Sequence, residues 1–317
     1  MPARDGGMTA RLAILCPGQG GQHAGMFDLA LADARGRAAL EACALESRCG
    51  QPLTALLADD RHLFANRYAQ ALVAASSLAM WAMLKDELPA PALVAGYSIG
   101  ELSAYGVAGA LPVPQVIAAA AQRAQYMDDC LHTEPQQGLL ALSGIDAATV
   151  RRQLQGQSAW IAIETGFDSM IIGGNHAALA SMQPQWRAGG ARVSPLPVGI
   201  ASHTPLMAAA QIPFTAMLRT LDWQVPLVRV AEGISGQLID TVAAAQSSLS
   251  RQLTEPIQWA ACMDACAEQG ITVALELGPG AALSRMLRER HPAIACRSMQ
   301  DFRSSAGALR WLTTQLE

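Results

Sequence analysis

Leu93-Val94-Ala95-Gly96-Tyr97-Ser98-Ile99-Gly100 is an apolar run closed by a serine with a glycine two residues to either side. Its first four residues carry no polar side chain and read as a short buried strand. Gly96-Tyr97-Ser98-Ile99-Gly100 matches G-x-S-x-G, the pattern of a nucleophile elbow. The glycines allow a tight strand-to-helix turn that lifts a serine Oγ clear of a sheet. A helix is expected from Ile99 until Gly109-Ala110-Leu111-Pro112 stops it. Its first turn would offer unpaired N–H groups and a positive dipole end to a developing oxyanion. A bare match is more often a turn without chemistry; the flanking strand and helix favour the nucleophile.

The same rhythm extends outward. Leu12-Ala13-Ile14-Leu15-Cys16 reads as a buried strand ended by Pro17-Gly18. Helical patterns fill the chain to about residue 87, and another helix is expected from Pro114 to Cys130. Thr272 to Leu277 is the last clear strand, before Gly278-Pro279-Gly280. Strands alternating with helices predict an α/β fold with a parallel sheet and helices on both faces. Residues 138–196 break that rhythm. Gly138–Ile145, Ser158–Glu164, Ser169–Ile172 and Ala191–Leu196 read as strands, and Asp146–Gln155 and Asn175–Arg187 as helices, Asn175 being a candidate N-cap. That order is βαββαβ, a ferredoxin-like unit. It predicts a small domain at 134–199 inserted into a large one made of 1–133 and 200–317. Residues 1–10 read as a frayed lead-in, with Met8 as an alternative start.

Composition narrows the chemistry. The chain has 317 residues, 51% of them hydrophobic and 15% charged, which excludes a disordered protein. Net charge is −4 and no basic block occurs, which argues against nucleic acid as a partner. Lys85 is the only lysine and follows no glycine-rich loop, so no phosphate-binding P-loop is present. Seven cysteines, an odd count with no Cys-x-x-Cys, argue against a disulfide framework or zinc site and fit a reducing cytoplasm. The most apolar stretch, Ala69 to Leu84, is interrupted by Gln70, Ser76 and Ser77 and falls short of the ~20 residues that span a bilayer. No membrane association is expected.

A serine nucleophile needs a base. Of six histidines, His203 sits in Ala201-Ser202-His203-Thr204-Pro205, a loop at the expected domain junction that can reach a cleft. His132, His176, His62 and His291 lie in polar or charged stretches and read as solvated or structural. No acidic residue is placed to orient His203, so a main-chain or amide carbonyl is expected there. Pro17-Gly18-Gln19-Gly20-Gly21-Gln22 is a poor dinucleotide fingerprint, because His23 stands at the third glycine position. At the carboxyl edge of a sheet, Gln19 or a loop N–H could instead serve an oxyanion hole. Arg123 lies in an apolar helix, where a surface arginine and a carboxylate clamp are about equally good readings.

Gly18-Gln19-Gly20, Gly96-x-Ser98-x-Gly100-Glu101, Gln122-Arg123, Ser202-His203, Gln252-Leu253-x-x-Pro256 and Glu276-x-Gly278-Pro279-Gly280 occur in that order. As a set they resemble the malonyl-CoA:acyl carrier protein transacylases over almost the whole chain. The resemblance implies an α/β-hydrolase-like domain with a ferredoxin-like insert, the same architecture as the βαββαβ reading. It implies Ser98 as the acylated residue and His203 as its base. It places Gln19 and the Ile99 N–H in the oxyanion hole, Arg123 on the malonyl carboxylate, and the Gln252 main-chain carbonyl behind the histidine. It also implies a coenzyme A thioester and the prosthetic-arm thiol of an acyl carrier protein as substrates, with no bound cofactor and no metal.

Two departures and one segment point to a narrower branch. Tyr97 stands where fatty-acid members usually carry histidine, and Gly21 where they carry serine. With Glu164-Thr165-Gly166-Phe167-Asp168-Ser169-Met170, these resemble the epsilon subunit of biotin-independent malonate decarboxylase. That branch implies further decarboxylase subunits as partners and a triphosphoribosyl-dephospho-CoA arm on the carrier. The alternatives are a malonyl transacylase of fatty-acid or polyketide synthesis, a patatin-like serine hydrolase, or a non-catalytic assembly subunit. A patatin-like enzyme needs a late Asp-Gly, and the only Asp-Gly here is Asp5-Gly6.

Overall fold

The strand β1 (Leu12–Cys16) is buried along its whole length, as an apolar run without alternation requires. In the computed structural model, which describes residues 10–317, its side chains feed two cores. Leu12, Ile14 and Cys16 point into one, and Ala13 and Leu15 into the other. The expected lead-in, Met8 and Asp5-Gly6 lie outside the described residues.

Eleven strands are described: β1, β2 (Leu93–Gly96), β3 (Gln137–Ser143), β4 (Ala159–Glu164), β5 (Ser169–Asn175), β6 (Arg192–Pro195), β7 (Val230–Ala231), β8 (Leu238–Ile239), β9 (Ile257–Gln258), β10 (Val273–Glu276) and β11 (Ala295–Ser298). The larger sheet has the order β11-β10-β1-β2-β7-β8. It is parallel except for its edge strand β8, which runs antiparallel to β7. The long helix Asn66–Leu84 is almost wholly buried against it, together with Gly100–Val107 and Val113–Asp129. This is the expected α/β class with a parallel sheet.

The smaller sheet has the order β6-β3-β5-β4-β9. Its four strands between residues 137 and 195 are antiparallel and, with helices Ala147–Gln153 and His176–Ala188, run in the expected βαββαβ order. The Asn175 side chain accepts from the Ala178 N–H and caps the second of these helices. Both helices cover one face through Val150, Leu179 and Trp186. The division at residue 200 misses one strand. β9 comes from the later part of the chain and pairs parallel with β4, Ile163 opposite Ile257. Two residues of strand carry too little pattern to be read from sequence. The opposite face of the small sheet, through Leu139, Ala162 and Ile163, joins the core that holds Ala13, Leu15, Leu93, Ala95 and Trp259. Among the described residues no helix is long and apolar enough to cross a membrane.

Three loops meet at the carboxyl edge of the parallel strands, the usual place for ligands in such sheets. They follow β1 (Pro17–Gln22), β2 (the elbow) and β10 (Gly278–Gly280). Their approach is so close that a Cβ on Gly21 would stand 2.5 Å from the Pro279 carbonyl oxygen.

Candidate active site

Ser98 sits at φ +56°, in the left-handed region that non-glycine residues avoid. The strain is tolerated because both neighbours with no side chain are sterically obligatory. A Cβ on Gly96 would collide with the Glu101 backbone, and one on Gly100 with the Cys16 carbonyl. The turn points the Ser98 Oγ at His203 Nε2, 2.8 Å away. His203 is also left-handed, at φ +63°, and its backbone N–H donates to the Leu253 carbonyl at 2.9 Å.

The far side of the imidazole fixes its tautomer. His203 Nδ1 lies 2.6 Å from the main-chain carbonyl oxygen of Gln252. A carbonyl only accepts, so Nδ1 carries the proton and Nε2 presents its lone pair to the serine hydroxyl. His203 is 1% exposed. Burial, reinforced by the nearby Arg123 charge, pushes its pKa down to about 3. The ring is therefore neutral at physiological pH, as a general base must be.

Arg123 is 1% exposed, which removes the surface reading of that residue. Its guanidinium donates to the side-chain oxygens of Gln70 at 2.7 Å and Gln252 at 3.0 Å. Both partners are neutral amides, and burial lowers the arginine pKa to about 10, so it stays cationic. A buried cation held by neutral acceptors keeps its charge available to an incoming anion.

Gln252 is 0% exposed and uses every polar atom. Its main-chain carbonyl holds His203 and its side-chain oxygen holds Arg123. Its side-chain NH2 donates to the Ser98 carbonyl at 3.2 Å and to Glu101 Oε2 at 2.6 Å. In sequence Glu101 reads only as part of the elbow pattern. In the structure it is a fully buried carboxylate that also accepts from Ser248 Oγ at 2.5 Å and the Gly233 N–H at 3.1 Å. Gln70, which reads in sequence as a polar break in an apolar helix, and Asn66 carry no pattern that marks them as site residues. Asn66 Oδ1 accepts from Gln70 at 2.7 Å and from Gln19 at 3.0 Å.

The loop carrying Gln19 runs beside Ser98: a Cβ on Gly18 would lie 3.5 Å from Ser98 Cβ. Among the described residues the N–H groups of Gln19 and Ile99 take no hydrogen-bond partner. Both border Ser98, so they can receive charge that develops on a carbonyl under attack. A cavity of about 410 Å³ opens beside His203, lined by Trp160, Ile161, Pro205 and Pro256. His23 lies exposed against Gln300, and the remaining histidines stay away from the site. His62 faces the Ala55 carbonyl, His291 pairs with Asp264, and His132 and His176 are exposed.

This arrangement fits a known group of proteins. Residues 14–304 match the family model for the acyl transferase domain. The chain belongs to the acyl transferase domain family. Among curated relatives, the malonyl CoA-acyl carrier protein transacylase of Salmonella typhimurium is 27% identical over 308 residues, 94% of this chain and 99% of that protein. A chain from the complex of a type II PKS acyl-carrier protein with its malonyl-transacylase superposes with TM-score 0.88 at 26% identity, covering 95% of this chain and 99% of that one. The malonyl CoA-acyl carrier protein transacylase of Coxiella burnetii shares the fold, with TM-score 0.90 at 22% identity over 98% and 99% of the two chains. Within this acyltransferase, Ser98, His203, Gln252 and Arg123 form one hydrogen-bonded chain.

Proposed function

We propose that this acyltransferase moves a malonyl group from coenzyme A to the thiol of an acyl carrier protein through an ester on Ser98. The observation that carries the reading is Arg123. A buried cation with two neutral amide partners, coupled through Gln252 to the base of a serine nucleophile, suits a thioester that ends in a carboxylate.

His203 Nε2 takes the Ser98 hydroxyl proton while Oγ attacks the thioester carbonyl. The tetrahedral oxyanion is received by the Gln19 and Ile99 N–H groups. Its collapse breaks the C–S bond, and the imidazolium returns the proton to the departing coenzyme A thiolate. A malonyl-serine ester remains. The carrier thiol then gives its proton to His203 and attacks the ester, and Ser98 regains its proton as it leaves. The main-chain carbonyl of Gln252 stabilises the imidazolium in both halves, the role an aspartate plays in other serine enzymes.

The relatives named above support a carrier of fatty-acid or polyketide synthesis better than the malonate decarboxylase branch expected from sequence. At Gly21 the loop after β1 packs against Pro279 more closely than a side chain allows, so the departure is tied to local packing in this chain. Tyr97, edge-on to Trp259 at 5.3 Å, and the segment 164–170 remain as support for the decarboxylase reading. Competition separates the two: a carrier with a phosphopantetheine arm and one with the longer arm are offered together. Faster transfer to the longer arm would favour the decarboxylase.

The central test is mass spectrometry after incubation with malonyl-CoA. The peptide holding Ser98 should gain a malonyl mass, and Ser98→Ala should gain none. A label on another residue, or none on the wild type, would overturn the reading.

A further inference from the structure

Arg123 points at two amide oxygens, and an amide has two ends. If either glutamine turned its amide over, an NH2 group would face the guanidinium, donor against donor. What holds each amide in place is the acceptor at its far end. For Gln70 that acceptor is Asn66 Oδ1, a neutral amide whose own NH2 is tied to the Ala124 carbonyl and Asp128. For Gln252 there are two, the Ser98 carbonyl at 3.2 Å and, at the shorter 2.6 Å, the charged Glu101 Oε2.

The Glu101 carboxylate cannot move or turn over. Ser248 Oγ donates to Oε1 at 2.5 Å, and the Tyr105 hydroxyl donates to it at 3.4 Å. The Gly233 N–H donates to Oε2 at 3.1 Å, and a Cβ on Gly233 would stand only 2.5 Å from that oxygen. Every contact to Glu101 is a donor, so in its ionised form, above about pH 7, it acts as an acceptor alone. The Gln252 amide lies between it and Arg123. The carboxylate thereby orders the partner of the arginine without itself bonding the cation.

We propose that Glu101 is a positioning residue for acyl selectivity, holding the Gln252 amide so that its oxygen aims Arg123 at the substrate carboxylate. The inference rests on the malonyl-transfer reading above. Glu101 touches neither substrate nor the reacting atoms; it acts through Gln252.

Glu101→Gln is nearly isosteric but replaces an acceptor by a donor at one end. Its NH2 must then oppose Gln252 or Gly233, or force the Gln252 amide to turn. The readout is the rate of Ser98 acylation by malonyl-CoA and by acetyl-CoA, followed by mass without any carrier. Glu101→Gln should lower kcat/KM for malonyl-CoA about 10- to 100-fold, the cost of one charged hydrogen bond misplaced in a buried site. Acetyl-CoA, which does not use Arg123, should lose less than about 3-fold on the same argument. Glu101→Asp keeps the acceptor but withdraws it, and should give an intermediate ratio. In an Arg123→Ala background, Glu101→Gln should leave the malonyl-to-acetyl ratio unchanged. Equal losses for the two thioesters would overturn the proposal and leave Glu101 a structural residue. Should Glu101→Gln fail to fold, the ratio in Glu101→Asp decides, an unchanged ratio counting against the proposal. A wild type that forms no malonyl ester at Ser98 defeats the functional reading, and this inference with it. A normal wild type with an unshifted ratio in the variants defeats this inference alone.

Discussion

Single residues set the charge state of the site. Arg123 is cationic and unpaired by any carboxylate in its immediate shell, so its removal should be felt most by a substrate that brings one. Arg123→Ala should reduce acylation by malonyl-CoA roughly 30- to several-thousand-fold, the range for leaving a desolvated carboxylate unpaired. Acylation by acetyl-CoA should hold or rise, and equal losses would mark a merely structural arginine. Glu101 makes a separate prediction about pH. Burial raises its pKa to about 7 against an ordinary 4.5. Between those values the folded chain holds a proton that the unfolded chain has released. Stability from this group is therefore present below about 4.5 and is lost as pH rises through 7. The full swing is on the order of 3 kcal/mol. A Glu101→Gln variant lacks it. The melting temperature of the variant relative to wild type should thus be higher at pH 8 than at pH 5, whatever the constant offset between them. A difference that does not change with pH would mean that the donors around Glu101 hold its pKa near 4.5 despite its burial.

At the scale of elements, the elbow works because three loops crowd one sheet edge. Gly100 leaves no room for a Cβ beside the Cys16 carbonyl, so Gly100→Ala must push β1 and the helix Gly100–Val107 apart. A loss of at least about 3 kcal/mol is expected, or failure to fold, since backbone cannot yield as a side chain can. Gly21→Ser is the finer experiment. Its Cβ would meet the Pro279 carbonyl at 2.5 Å, so the loop after β1 must retreat from the loop after β10. Retreat moves the Gln19 N–H relative to Ser98. Acylation should slow for malonyl-CoA and acetyl-CoA alike, because both develop the same oxyanion. Unchanged rates would show that Gln19 contributes nothing to that step.

At the scale of the whole molecule, the two sheets share a core. Leu139, Ala162 and Ile163 of the small sheet pack with Ala13, Leu15, Leu93 and Ala95 of the large one, and β9 is hydrogen-bonded to β4. His203 emerges where they join. Unfolding followed by calorimetry should show one transition, because neither sheet can open without exposing apolar surface of the other. Ile163→Ala should destabilise the protein by roughly 2–5 kcal/mol while keeping that single transition. Two separate transitions would mean that the small sheet folds independently of the large one.

The amino-acid sequence by itself determined the local features: the G-x-S-x-G turn between a strand and a helix, the βαββαβ order of residues 137–195, and the Asn175 cap. Each depends on spacing, periodicity or a side chain bonding its own backbone within a few residues, and such signals survive in one dimension. The ordered set of motifs pointed to the family because each motif is itself local. Only the tertiary structure decided what meets across distance. It turned Arg123 from a residue with two equal readings into a buried cation, since burial depends on neighbours 53 and 129 positions away in the chain. It put β9 into the small sheet, because two residues are too short to show a period. It exposed the role of Glu101, whose partners Gly233, Ser248 and Gln252 carry no pattern that names them. Hydrogen bonds between side chains remote in sequence leave no periodic trace. They are set by the packing of elements that the sequence specifies only one at a time.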